Sequence, residues 1–162
     1  MQVENLEFEI AAAAARLERE GRYTRTRHFV QHGGVTVYDH CVRVAEMSCR
    51  LAEAFGWEVD TTALIRGALL HDYFLYDWHE KDSSHRLHGF THPRAALRNA
   101  EADWTLNEVE ANIILRHMFP LTPVPPACRE AWLVCMADKL CAMQEMVYTR
   151  ARRLRPALAR SK

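Results

Sequence analysis

Apolar residues recur along most of the chain at the three- and four-residue intervals of amphipathic helices, and no segment shows convincing strand-like alternation. The first helical stretch runs from about Asn5 to Glu20 and stops at Gly21. A polar segment follows, Arg22 to Gly34, and reads as a loop. The second helix spans about Val37 to Phe55, with Thr36 as N-cap and Gly56 just past its end. His40, Val44, Met47 and Leu51 share one of its faces. The third helix starts after the N-cap Asp60 and carries Leu64, Ile65, Ala68 and Leu69 up to His71-Asp72. Tyr73 to Gly89 has no clear period and reads as a loop over a site; it holds His79, His85 and His88. A shorter helix is expected to begin at Pro93, since the first helical position needs no N–H.

The fifth helix opens with Thr105 and Glu108 as a capping box and Trp104 against Val109 as a hydrophobic staple. Its apolar stripe, Leu106, Val109 and Ile113, continues to His117, and Pro120 ends it. A proline-rich loop, Pro120 to Pro126, leads to a last helix from about Ala127 to beyond Val147. The expected fold is all-α, a compact bundle of about six helices in a single domain.

Composition sets bounds on this picture. A chain of 162 residues, 49% hydrophobic, has the length and apolar content for a core of its own. Its 21 basic and 21 acidic residues lack the surplus of a dedicated nucleic-acid binder. The N-terminal stretch carries Glu4, Glu7 and Glu9; the C-terminal one carries Arg150, Arg152, Arg153, Arg155, Arg160 and Lys162. That tail reads as a solvated helix surface, with a phosphate- or RNA-binding arm as the alternative. Five cysteines without a CxxC pair read as reduced thiols of a cytosolic protein. No signal peptide is visible, and the apolar run Ala11 to Ala15 is too short to span a membrane.

Nine histidines carry most of the chemical information. His71-Asp72 closes the apolar run Gly67-Ala68-Leu69-Leu70. Neighbouring side chains on a helix diverge by roughly 100°, so a metal lying between the two directions can be held by both. Taken alone, the pair reads equally as a helix-end histidine beside a solvated carboxylate. Asp138 says more, because it sits after Trp132-Leu133-Val134-Cys135-Met136-Ala137, where an unpaired carboxylate would be costly to bury. It needs a cation, whether Lys139, an Arg or a metal. His40 lies on a buried-looking face, His117 extends an apolar stripe, and His92 sits just before a proline. So many titratable groups at apolar faces of separate helices are hard to explain as independent core residues.

The order His40, His71-Asp72, Asp138 resembles the signature of the HD-domain metal-dependent phosphohydrolase superfamily, over about Val37 to Met146. Supporting it are Tyr38-Asp39-His40 followed by Val42, Val44 and Ala45, the block Gly67 to Asp72, and Ala137-Asp138-Lys139. The resemblance implies that His40, His71, Asp72 and Asp138 are ligands of one metal. His92 and His117 fall where two-metal members add histidines, and Asp72 would then bridge the ions. It implies a divalent transition metal, Mn, Fe, Co, Ni or Zn, as one or two ions, that lowers the pKa of a bound water to give hydroxide. The implied activity is hydrolysis of a phosphate ester, a nucleotide phosphomonoester or phosphodiester first of all, with His71, Asp72 and Lys139 at the chemistry. The implied partner is a small phosphorylated substrate rather than nucleic acid or membrane; a homodimer stays open.

One position departs from the pattern. Some branches carry Lys or Glu three residues after the HD aspartate; here that residue is Leu75. Asp77 and His79 are nearby substitutes that no motif assigns. In the Arg- and His-rich segment, Arg25 and Arg27 are candidates for holding phosphate through their bidentate forks, against the alternative of a solvated loop. A non-catalytic metal- or nucleotide-binding sensor is the second functional reading, and a metal-free helical interaction protein the third.

Overall fold

Among its described residues, the computed structural model of the chain has six α-helices, one 3-10 helix and one small hairpin. It describes residues 3–32, 34–78 and 87–159, with side chains for 5–31, 34–78 and 87–150. Helix α1 (Val3–Glu20) leads into a 3-10 helix (Tyr23–His28) and an antiparallel hairpin, β1 (Val30–His32) and β2 (Val35–Thr36). Then come α2 (Val37–Phe55), α3 (Thr61–Leu70), α4 (His88–Asp103), α5 (Glu108–Arg116) and α6 (Arg129–Ala159). The fold is all-α apart from that hairpin, in which Val30 faces Thr36 and His32 faces Val35.

Helix α2 packs chiefly on α3 and α6, while α5 packs on α3, α6 and α4. The local chemistry fixes its ends. Thr36 Oγ1 accepts the Asp39 amide at 3.1 Å, and Gly56 takes the left-handed φ of 64° that a helix C-terminus favours. Helix α3 sits in the middle, with Leu64, Ala68, Leu69 and Leu70 fully covered. Gly67 lets α5 come close: a Cβ there would lie 2.5 Å from Ile113 Cδ1. Tyr23 donates its hydroxyl to the Leu69 carbonyl at 2.9 Å, tying the 3-10 helix to α3.

Several local expectations are corrected. The segment before α2 is not merely a loop, because it contains the 3-10 helix and the hairpin. Helix α4 begins at His88, not at Pro93, which lies inside it. The Leu87 carbonyl closes the first turn on the amides of Phe90 and Thr91, so the helix needs nothing from Pro93 to start. The capping box of α5 is Asn107 with Glu110, not Thr105 with Glu108. Both pairs have the right spacing; Arg66 decides between them by clamping the Glu110 carboxylate at 3.0 Å from α3. Trp104 accordingly caps the end of α4 instead of stapling α5. Helix α6 starts at Arg129 rather than Ala127.

Candidate metal centre

His71 and His117 occupy equivalent places, each the residue that ends its helix, α3 and α5. Helix ends leave carbonyls without partners, and each imidazole takes one of its own helix. His71 Nδ1 lies 2.7 Å from the Ala68 oxygen, and His117 Nδ1 lies 2.8 Å from the Ile114 oxygen. His92, in the second turn of α4, does the same with the His88 carbonyl at 2.9 Å. A carbonyl only accepts, so in all three rings Nδ1 carries a proton and Nε2 is the nitrogen turned inward, the one that offers a lone pair when the ring is neutral.

Those nitrogens converge on Asp72, just past the end of α3 and only 2% exposed. Asp72 Oδ1 lies 3.2 Å from His92 Nε2 and 3.6 Å from His117 Nε2. Asp72 Oδ2 lies 3.5 Å from His71 Nε2 and 4.0 Å from His40 Nε2. His92 Nε2 and His117 Nε2 face each other at 2.8 Å. His71 Nε2 and Asp72 Oδ1 are buried with no hydrogen-bond partner. Burial opposes a charged His71 ring, but Asp72 beside it outweighs that and raises its pKa well above the usual imidazole value, so the cluster calls for positive charge around Asp72, as ring protons or as a bound cation.

From α2, the wholly buried His40 places Nε2 3.1 Å from Asp138 Oδ1 of α6, and Asp138 Oδ1 is also 3.8 Å from His71 Nε2. The cation facing Asp138 is therefore not Lys139. That ammonium donates instead to the carbonyls of His117 (2.9 Å) and Cys135 (3.1 Å) and to Cys135 Sγ (3.3 Å). Burial alone would lower the pKa of His40, but hydrogen bonds to Asp138 and Glu145 outweigh it and raise it to about 10. Burial lowers His117 to about 3, helped by its neighbours His71 and His92. Asp72 is held well below the usual carboxylate range: burial opposes its charge, and the nearby His71, His92 and His117 rings more than offset that.

The donor set fits a metal. His40, His71 and Asp72 form one buried group, and Asp72, His92 and His117 another, each with ligand atoms within 4.8 Å of one another. Asp72 belongs to both, with one oxygen toward each. A cavity of about 690 Å³ opens onto them, with Asp72, His92, His117, Asp138 and Lys139 in its wall and Trp78, Met118 and Leu121 as an apolar side.

The model of the HD domain family matches residues 37–143, which includes His40, His71, Asp72, His92, His117 and Asp138. The chain belongs to the HD-domain family. Membership places it in a superfamily of metal-dependent phosphohydrolases. It is 37% identical over 109 residues to ribonuclease Y of Pseudothermotoga lettingae; the alignment covers 67% of this chain and 19% of that protein. The chain thus spans about a fifth of the curated relative it matches. No solved structure matches.

Within this HD domain, other candidates fall elsewhere. Arg27 pairs with Glu18 at 2.9 Å and lies over the Tyr38 ring, and Arg25 is exposed; neither lines the cavity. Leu75 packs against the core with φ of 58°, while Asn99 holds the carbonyls of Tyr73 and Phe74 beside it. His88 opens α4 and stacks on both Trp78 and His92. Asp77 is half-buried, and His79 and His85 lie outside the described residues. Two residues at the site were missed. Gln31 of β1 donates Nε2 to Asp72 Oδ2, and Glu145 of α6 holds His40 Nδ1. Gln31 is hidden in a polar segment; Glu145 had a signal, standing two helical turns from Asp138.

Proposed function

We propose that this chain is a metal-dependent hydrolase of phosphate esters, acting first of all on a nucleotide phosphomonoester or phosphodiester. The observation that carries this reading is the set of imidazole Nε2 atoms turned on a buried, ionised Asp72 at the mouth of a cavity. In this reading His40, His71, Asp72 and Asp138 hold one ion, and His92, His117 and Asp72 hold a second. Nitrogen and carboxylate donors of this kind suit Mn, Fe, Co, Ni or Zn. Such an ion, when bound, activates water and offsets phosphoryl charge as a Lewis acid.

The chain's own residues do the positioning. Asp72 is buried and shared between both groups, and Gln31 restrains its Oδ2. Lys139 uses its three N–H groups on the His117 and Cys135 carbonyls and the Cys135 thiol. Its role in the reading is a fixed positive charge in the cavity wall beside the phosphate, not a proton donor. Trp78, Met118 and Leu121 offer the non-phosphate part of the substrate an apolar surface. Arg25 and Arg27 would meet only a substrate that extends out of the cavity. Residues 37–146 would form the catalytic core of a single domain. Five free thiols fit a reducing compartment such as the cytoplasm. No helix among the described residues is long and apolar enough to cross a membrane.

The ribonuclease relative makes a ribonucleotide phosphodiester the first diester to test. A sensor function is favoured by one observation: Leu75 brings no polar group to the third position after the HD aspartate. A panel of nucleotides, short RNAs and simple phosphate esters, assayed with Mn-, Fe- and Zn-loaded protein, separates the readings. Turnover in ¹⁸O-water with the label on phosphate supports the hydrolase. Full metal loading with no turnover on any ester supports the sensor.

A further inference from the structure

Three of the four inward-facing histidines fix Nδ1 on a carbonyl of their own helix. His40 does not. Its Nδ1 lies 3.2 Å from each oxygen of Glu145, a carboxylate only 3% exposed. Glu145 stands seven residues after Asp138 on α6, and seven residues are close to two helical turns. One face of α6 therefore presents two carboxylates that bracket one ring, Asp138 at Nε2 and Glu145 at Nδ1. Arg43, on α2 beside His40, approaches Glu145 Oε1 at 3.5 Å. The family match stops at residue 143, short of Glu145.

We propose that Glu145 is the positioning residue for His40 and sets the affinity of the ion site made by His40, His71, Asp72 and Asp138. This rests on the metal reading above. By accepting a hydrogen bond from Nδ1–H, Glu145 favours the metal-binding tautomer, in which Nε2 presents its lone pair toward Asp138 and Asp72. A charged acceptor also makes the ring a stronger donor than a carbonyl does. His71, His92 and His117 each set Nδ1 on helix backbone, and at His40 the Glu145 carboxylate meets Nδ1. A different account makes Glu145 a strut that ties the end of α6 to α2 through Arg43 and His40. A strut would lower the stability of metal-free protein when removed, and would leave metal affinity as it was.

The test is calorimetric titration of Mn²⁺ into metal-free wild type, Glu145→Leu, Glu145→Gln and the ligand control Asp138→Ala, with thermal unfolding of each metal-free protein alongside. Glu145→Leu should weaken one class of site about 10- to 100-fold, the range seen when such outer partners are lost. Glu145→Gln, whose amide oxygen still accepts from Nδ1, should recover most of that affinity. Wild-type affinity in a folded Glu145→Leu overturns the proposal, as does a Glu145→Gln variant as weak as Glu145→Leu. If Glu145→Leu does not fold, ¹⁵N NMR of the zinc-loaded wild type decides: a protonated Nδ1 on His40 supports the proposal, and an unprotonated one overturns it. No Mn²⁺ uptake by the wild type itself is the distinct result that fells the metal reading, and this proposal with it.

Discussion

His117 shows how far surroundings reset a side chain. In water an imidazole gains a proton near neutral pH; here burial, with His71 and His92 close by, lowers its pKa to about 3 and keeps its Nε2 lone pair available. His117 was legible as a candidate because it continued an apolar stripe where a polar group needs a reason, and the same logic reached His40 and Asp138. That logic could not reach Gln31, which stands in no periodic apolar stripe and is buried where the hairpin meets Asp72. Away from the site, Asp103 gives a pH prediction. Burial would raise its pKa, but hydrogen bonds from Arg22 and Tyr73 outweigh that and lower it. The folded carboxylate then binds protons less readily than the unfolded one. Its stabilisation is complete above about pH 4, the usual carboxylate range, and is lost as pH falls through the lower folded value. Urea denaturation of Asp103→Asn should show a smaller loss of stability between pH 5 and pH 3 than wild type, in proportion to the missing titration. Parallel pH profiles for the two proteins would show that Asp103 contributes nothing there.

At the scale of elements, the helices were legible because each has a buried stripe, and their ends less so because competing signals sit close together. Thr105-Glu108 and Asn107-Glu110 are equally good capping boxes in the sequence, and only Arg66, reaching across from α3, selects the second. Pro93 looked like a helix start, yet the turn before it is what aligns His88 and His92 on one face of α4. The hairpin was illegible because its strands have two and three residues, too few for alternation to register. The approach of α3 to α5 through Gly67 is a further feature no pattern announces. It positions His71 and His117, which end those two helices. Gly67→Ala should therefore overpack the contact with Ile113 and cost about 1–3 kcal/mol in chemical denaturation. Gly67→Ala combined with Ile113→Val should regain part of that loss. A stability equal to wild type for Gly67→Ala alone would mean that the two helices separate freely.

For the whole molecule, what matters is that α2, α3, α4, α5 and α6 each deliver a group to one small volume. Sequence order nominated those groups as candidates; their arrangement, Asp72 with one oxygen toward each trio, emerges only from the packing. A ligand that binds the native state alone stabilises it, so chelation should lower the melting temperature of wild-type protein purified without chelator. Asp138→Ala, missing one donor of the first group, should respond much less, and equal responses in the two proteins would remove Asp138 from the ligand set. The most direct test of the metal centre is anomalous diffraction from crystals of manganese-loaded protein. The account predicts two peaks flanking Asp72, one among His40, His71 and Asp138, the other beside His92 and His117. In the double variant His92→Ala, His117→Ala only the first peak should remain. Peaks elsewhere, or none near Asp72 in protein saturated with manganese, would contradict it.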